Sequence, residues 1–78
     1  MLNEAIDLGI DIYNSEYAIQ FYKLPDRKVI QAAILSGSNS FVAEEPVFFP
    51  YTDENDVQKV REDAREKIFA SIQKKINR

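Results

Sequence analysis

Two eight-residue stretches, 17–24 and 28–35, constrain the fold most strongly. Both are rich in β-branched, aromatic and aliphatic residues, and the turn-forming pair Pro25-Asp26 lies between them. This pattern predicts two antiparallel strands joined as a hairpin. An odd-numbered loop would bury the amide of Gln31 on the apolar face without a partner, so an even-numbered loop is predicted. The predicted cross-strand pairs are Ile19 with Ile34, Phe21 with Ala32 and Lys23 with Ile30.

A third strand is predicted over residues 41–45, after a segment rich in serine, glycine and asparagine. Pro46 cannot donate a hydrogen bond to a neighbouring strand, so it suits the end of an edge strand. A second even-numbered loop would add Ala43 to the core face and place Glu44 opposite Gln31. The three strands would then form an antiparallel meander.

The C-terminal third of the chain has the pattern of a long amphipathic helix. Thr52 or Asp53 can cap its N-terminus, acids fill the first turn, and bases lie near its C-terminal end. Apolar residues recur at spacings of three and four, and charged residues cover the opposite side. The predicted core positions are Val57, Val60, Ala64, Ile68, Ile72 and Ile76.

The N-terminal segment, residues 2–13, fits two structures. Asn3 can cap a helix whose first turn carries acids, and we predict a short helix on that basis. An alternation typical of a strand competes with it, so residues 8–13 stay open between helix and strand. The alternating apolar residues are Leu8, Ile10 and Ile12.

The predicted fold class is therefore α+β with the order α-β-β-β-α. A three-stranded antiparallel meander sheet would carry the long C-terminal helix, and the short N-terminal helix, on one face. With 78 residues, the chain 1–78 is predicted to be a single small domain.

The composition excludes several function classes. The chain contains no cysteine, so it can form neither a disulfide nor a thiolate zinc site. It also contains no histidine, which is the commonest general base in enzymes. No apolar run approaches the roughly 20 residues that span a bilayer, and the N-terminus lacks the basic start of a signal peptide. We therefore predict a cytoplasmic protein that is not an enzyme and has no catalytic residues, cofactor, metal site or membrane contact.

The acidic clusters lack the spacing of a catalytic or metal site. Glu44 and Glu45 are consecutive in a predicted strand, so their side chains point to opposite faces. Residues 53–56 lack the alternate acids, the central glycine and the closing glutamate of a calcium loop. Neither cluster predicts a site.

The charges are unevenly distributed along the chain. Residues 1–56 carry ten acids and three bases, a net charge of −7, and residues 57–78 carry three acids and seven bases, a net charge of +4. Affinity for nucleic acid comes from neutralising phosphates with Lys and Arg, and the acidic part of this chain would repel them. The distribution therefore predicts no binding to nucleic acid.

The face of the predicted sheet that points away from the helices mixes apolar and polar residues. Either the N-terminal segment or a loop covers this face, or the face is an interface with another protein or with a second copy in a homodimer. The predicted partner-binding residues are Gln20, Tyr22, Gln31, Ala33, Leu35 and Glu44.

The sequence thus favours a small non-catalytic protein-interaction module. Such a module would act as a regulator, adaptor or inhibitor of a larger protein, through its sheet face or its acidic surface. The alternative is an acidic nucleic-acid mimic of the phage type, which would inhibit a nuclease or another DNA-binding enzyme by occupying its basic groove.

Overall fold

The computed structural model describes residues 4–36, 42–43 and 46–76, and the statements below concern these residues. They form an α+β fold of five strands followed by one long helix. The elements are β1 (Ile6–Ile12), β2 (Tyr17–Leu24), β3 (Val29–Ser36), β4 (Val42–Ala43), β5 (Val47–Pro50) and α1 (Val57–Ile76), with a single 3-10 turn (Glu54–Asp56) before α1.

The five strands occupy four positions in one antiparallel sheet. β1 pairs with β2, and β2 pairs with β3 along its whole length. β4 and β5 both pair with β3. Because β2 fills one edge of β3, the two short strands share the other edge, one after the other.

The β2–β3 hairpin confirms the predicted register, since all three predicted pairs are present. The turn has four residues, and the amide of Arg27 donates to the carbonyl of Leu24 at 3.1 Å. Lys28 has a φ of 54°, in the left-handed region. β3 therefore begins at Val29, one residue later than predicted.

The prediction of an N-terminal helix is wrong. Residues 6–12 form the edge strand β1, in which Ile10 pairs with Gln20 and Ile12 with Ala18. The free edge of β2 offers hydrogen-bond partners to this backbone, and Gly9 would weaken a helix interior. The alternation at Leu8, Ile10 and Ile12 was the better guide, and the predicted cap Asn3 lies outside the described residues.

The prediction of three strands is also wrong, because the third predicted strand is replaced by β4 and β5. Ala43 pairs with Leu35 and not with Ala32, and Phe48, rather than Glu44, lies opposite Gln31. Val47 lies four positions after Ala43 in the sequence, whereas their partners on β3, Ala32 and Leu35, are only three positions apart. Such a one-residue offset follows from local irregularity of an edge strand and leaves no mark in the hydrophobic pattern. Glu44 and Glu45 lie outside the described residues.

The predicted helix is confirmed, and the core lies between α1 and one face of the sheet. The carboxylate of Asp53 accepts a hydrogen bond from the amide of Asn55 at 2.9 Å and caps the 3-10 turn. Val57 and Val60 pack at the edge of the core. The buried core residues are Ile19, Phe21, Ile30, Ala32, Tyr51, Ala64, Ile68 and Ile72.

Candidate protein-interaction face

The candidate site is the sheet face opposite α1, called here the outer face. Strand residues alternate between faces, so the registers assign its members. Five of the six predicted partner-binding residues lie together on it, and the sixth, Glu44, is outside the described residues. The outer face consists of Asp7, Ile10, Ile12, Ala18, Gln20, Tyr22, Leu24, Val29, Gln31, Ala33, Leu35, Phe48 and Pro50.

The outer face has large apolar side chains at both sides, and its two central strands carry both large and small side chains. Ile12 pairs with Ala18, and Ile10 lies beside Gln20, which pairs with Ala33. At the opposite edge Phe48 pairs with Gln31. The arrangement leaves protruding side chains on β1 and β5, with Ala18 and Ala33 on the strands between them.

Three of the large apolar residues of the outer face are well exposed. The exposed fraction is 70% for Ile12, 46% for Phe48 and 45% for Ile10. An antiparallel sheet with one free face usually alternates apolar residues toward the core with polar residues toward water. This sheet instead has apolar residues on both faces, and α1 packs only against the face of Ile19 and Phe21.

The polar side chain in the middle of the outer face already has partners. The side-chain amide nitrogen of Gln20 donates to Asp7 Oδ1 at 2.8 Å and to the carbonyl of Gly9 at 3.1 Å. The same carboxylate oxygen of Asp7 accepts from the amide of Gly9 at 2.7 Å. Both hydrogens of the Gln20 side-chain amide would therefore stay hydrogen-bonded if a partner covered this region.

An ion pair of Arg61 and Asp11 holds β1 against the helix on the core side. Arg61 Nη1 lies 3.1 Å from Asp11 Oδ2, and Arg61 Nε donates to the carbonyl of Leu8 at 3.1 Å. The guanidinium also stacks over the ring of Phe21, 4.5 Å from its centre. Asp11 Oδ2 is buried and accepts no aligned hydrogen bond, so the contact with Arg61 acts as a charge pair. The cluster positions the strand that carries Ile10 and Ile12.

A second polar cluster joins β2 to the 3-10 turn that precedes α1. Lys23 Nζ lies 2.8 Å from Glu54 Oε1, and the hydroxyl of Tyr51 donates to Glu54 Oε2 at 3.4 Å. The hydrogen bond between Lys23 and Glu54 raises the pKa of Lys23 and lowers the pKa of Glu54. Burial raises the pKa of Tyr51. The cluster fixes the helix on the sheet and lies on the side away from the outer face.

Two hollows lie on the surface, and the smaller one borders the outer face at Leu24 and Gln31. The larger, of about 320 Å³, lies between the end of β5 and the first turns of α1 and is lined partly by Tyr51, Lys59 and Asp63. Within residues 4–36, 42–43 and 46–76, no group of three acids is placed to hold a metal ion. In the same residues no helix has the length and apolar character needed to cross a membrane.

Sequence reasoning missed two prominent members of the outer face, Ile10 and Ile12. Their alternation with Gly9 and Asp11 was visible, and it would have identified them had the strand been preferred to the helix. Phe48 was missed because its position depends on the offset between β4 and β5.

No protein-family model matches the sequence, no curated protein matches it, and no solved structure matches the fold.

Proposed function

We propose that the protein is a small, non-catalytic protein-interaction module that binds its partner through the outer face. The observation that supports this proposal is the exposure of Ile10, Ile12 and Phe48 on one side of a sheet whose other side is already covered by α1. Ile10 and Ile12 form an exposed apolar row on β1, and apolar surface of this kind on a small domain often marks a contact with another protein. The location we propose is the cytoplasm, because the chain has no cysteine for oxidation.

The competing explanation from the sequence was that the N-terminal segment or a loop covers this face. Residues 6–12 are part of the sheet, as its edge strand, and they add Ile10 and Ile12 to the outer face. This segment therefore enlarges the apolar surface.

Capture of partners by matched variants tests the proposal. Ala33→Glu places a carboxylate on β3 in the middle of the outer face, and burial of an unpaired charge in a complex costs several kcal/mol. Ala70→Glu makes the same change on an exposed position of α1. We expect the wild type and Ala70→Glu to capture the same protein from a lysate of the source cell, and Ala33→Glu to lose it while its circular dichroism is unchanged. Equal capture by all three would refute an interface at the outer face.

A second candidate function, the acidic nucleic-acid mimic, is favoured by the net charge of −7 on residues 1–56. Such a mimic would bind a basic groove by charge attraction, so its affinity would fall steeply with ionic strength. An apolar interface would keep its affinity as salt rises. Repeating the capture from low salt to about 0.5 M NaCl, where the screening length is only a few Å, separates the two candidates.

A further inference from the structure

We propose that a second copy of this chain occupies the outer face, so that two sheets pack face to face around a two-fold axis. This inference rests on the function proposed above and names the partner. Each copy would keep α1 on its outer side, and the apolar rows of the two sheets would meet in the middle. Sheets packed in this way lie about 10 Å apart with interdigitating side chains.

The charge of the outer face fits a second copy. Apart from Asp7, which already contacts Gly9 and Gln20, the described members of the outer face carry no side chain that is charged at neutral pH. The whole chain has a net charge of −3, and its acidic part would repel an identical chain. Two copies can therefore meet most easily over their least charged surface. A basic partner, in contrast, would be attracted to the acids elsewhere.

The shape of the outer face also fits a second copy. A two-fold interface brings the same patch of both molecules together, so this patch must supply both protrusions and recesses. The outer face does so, with Ile10, Ile12 and Phe48 exposed at the sides and the small, half-buried side chain of Ala33 between them.

The available area is sufficient for a reversible dimer. A sheet four positions wide, with central strands of eight residues, measures about 19 Å by 26 Å, or about 500 Å² for each copy. The pair would bury on the order of 1,000 Å², at the lower limit for a specific interface and below the usual size of about 1,600 Å². We therefore expect a dissociation constant in the micromolar range.

Sedimentation equilibrium over roughly 1 to 300 µM, a range that brackets micromolar affinity, is the test. We expect the wild type and Ala70→Glu to change from the 9.0 kDa monomer mass to twice that mass within this range. Ala33→Glu and Ile12→Glu should remain monomeric. Ile12 is 70% exposed, so a glutamate there is solvated in the monomer, and this variant stays informative even if Ala33→Glu fails to fold.

A single tryptophan gives an independent measurement on the same protein. The chain contains no tryptophan, so Phe48→Trp places one reporter on the outer face. We expect its emission to shift to shorter wavelength as the mass doubles, because the indole leaves water.

Two results would overturn the inference. A wild type that stays at the monomer mass over the whole range has no second copy on this face, although it would still satisfy the proposed function if it captured another protein and Ile12→Glu did not. A dimer that persists in Ile12→Glu, with no shift in the emission of Phe48→Trp, would place self-association elsewhere, for example at the open edge of β1.

Discussion

At the scale of single residues, Gly9 is the position on which the path of β1 depends most. Its φ of 100° lies at the point where the pairing with β2 slips between Asp7 and Gly9. A methyl group built there would lie 3.5 Å from Arg61 Nη2, which is an ordinary contact. The cost of any side chain at this position therefore comes from the backbone conformation and not from crowding.

Gly9→Ala should accordingly lower the free energy of unfolding by about 1 to 2 kcal/mol, the usual cost of positive φ for a residue with a Cβ atom. Lys28→Gly is the reciprocal change, because it gives a glycine to a position that already has a φ of 54°. We expect it to be neutral or slightly stabilising. Urea denaturation midpoints measure both, and an unchanged midpoint for Gly9→Ala would show that the strand does not need this conformation.

The pair of Lys23 and Glu54 makes stability depend on pH at both ends of the range. The pKa of Glu54 is lowered from 4.5, so its contribution is complete above that value and is lost as the pH falls through the lowered pKa. The pKa of Lys23 is raised from 10.5, so its contribution is complete below that value and is lost as the pH rises through the raised pKa. The interaction therefore stabilises the fold throughout the neutral range.

Glu54→Gln should lower the melting temperature near neutral pH, and the difference from the wild type should shrink as the pH falls below 4.5. Glu66→Gln is the matched control, because Glu66 is exposed on α1 and forms no salt bridge within the described part of the chain. Its difference from the wild type should vary less over the same interval. Parallel curves for wild type and Glu54→Gln from pH 7 down to acid would contradict the assignment.

At the scale of elements, β1 is an edge strand with few polar contacts to the helix. It pairs only with β2, and its contact with α1 depends largely on Arg61, which reaches Leu8, Asp11 and Phe21. Arg65 is farther away, with its Nη1 4.0 Å from Asp11 Oδ2. Arg61 thus makes the closer of the two arginine contacts that connect this edge strand to the helix.

Arg61→Met should lower the free energy of unfolding by about 1 to 3 kcal/mol, because it removes the partner of the partly buried Asp11. Hydrogen exchange should quicken first in β1, while the amides of β2 and β3 stay protected, since a weakly attached element opens locally. Arg65→Met provides the comparison and should have a smaller effect on both measurements. Equal loss of protection in all three strands would show that the sheet opens as one unit.

The sequence predicted elements correctly where a local feature was sufficient to decide between two structures. The register of β2 and β3 followed from keeping Gln31 off the core face, and the helix followed from its period and its cap. Residues 6–12 were predicted as a helix because Asn3 and the nearby acids favour a helix locally. Their strand structure depends on pairing with the edge of β2, which is a tertiary feature that the local sequence does not show. The pairing of Asp11 with Arg61 joins residues 50 positions apart, and no periodicity indicates it.

Prediction of the candidate site was limited by the same tertiary features. The middle of the outer face was predicted, because Gln20, Tyr22 and Ala33 follow directly from the hairpin register. Its two sides were not predicted. The position of Ile10 depends on whether residues 6–12 form a strand, and the position of Phe48 depends on the offset between β4 and β5 at the opposite edge. The most exposed apolar side chains of the outer face are therefore the ones that sequence reasoning did not predict.

At the scale of the whole molecule, charge determines which macromolecules can approach. We expect no measurable binding to duplex DNA or RNA at about 0.15 M salt, because phosphates would meet the net charge of −7 on residues 1–56. A gel-shift assay with labelled duplex measures this. A retarded complex at micromolar protein would show that the basic C-terminal part of the chain acts independently of the rest.

The order of the strands in the sheet has a consequence for biosynthesis. β1, β2 and β3 are neighbours both in sequence and in the sheet, so they can pair as soon as they leave the ribosome. A hairpin forms in about 1 to 10 µs, whereas synthesis of the following 40 residues takes seconds at about 5 to 20 residues per second. During this interval α1 is absent, and the nascent sheet exposes apolar residues on both faces. The newly made chain is therefore expected to be more prone to aggregation before its helix packs on the sheet than after.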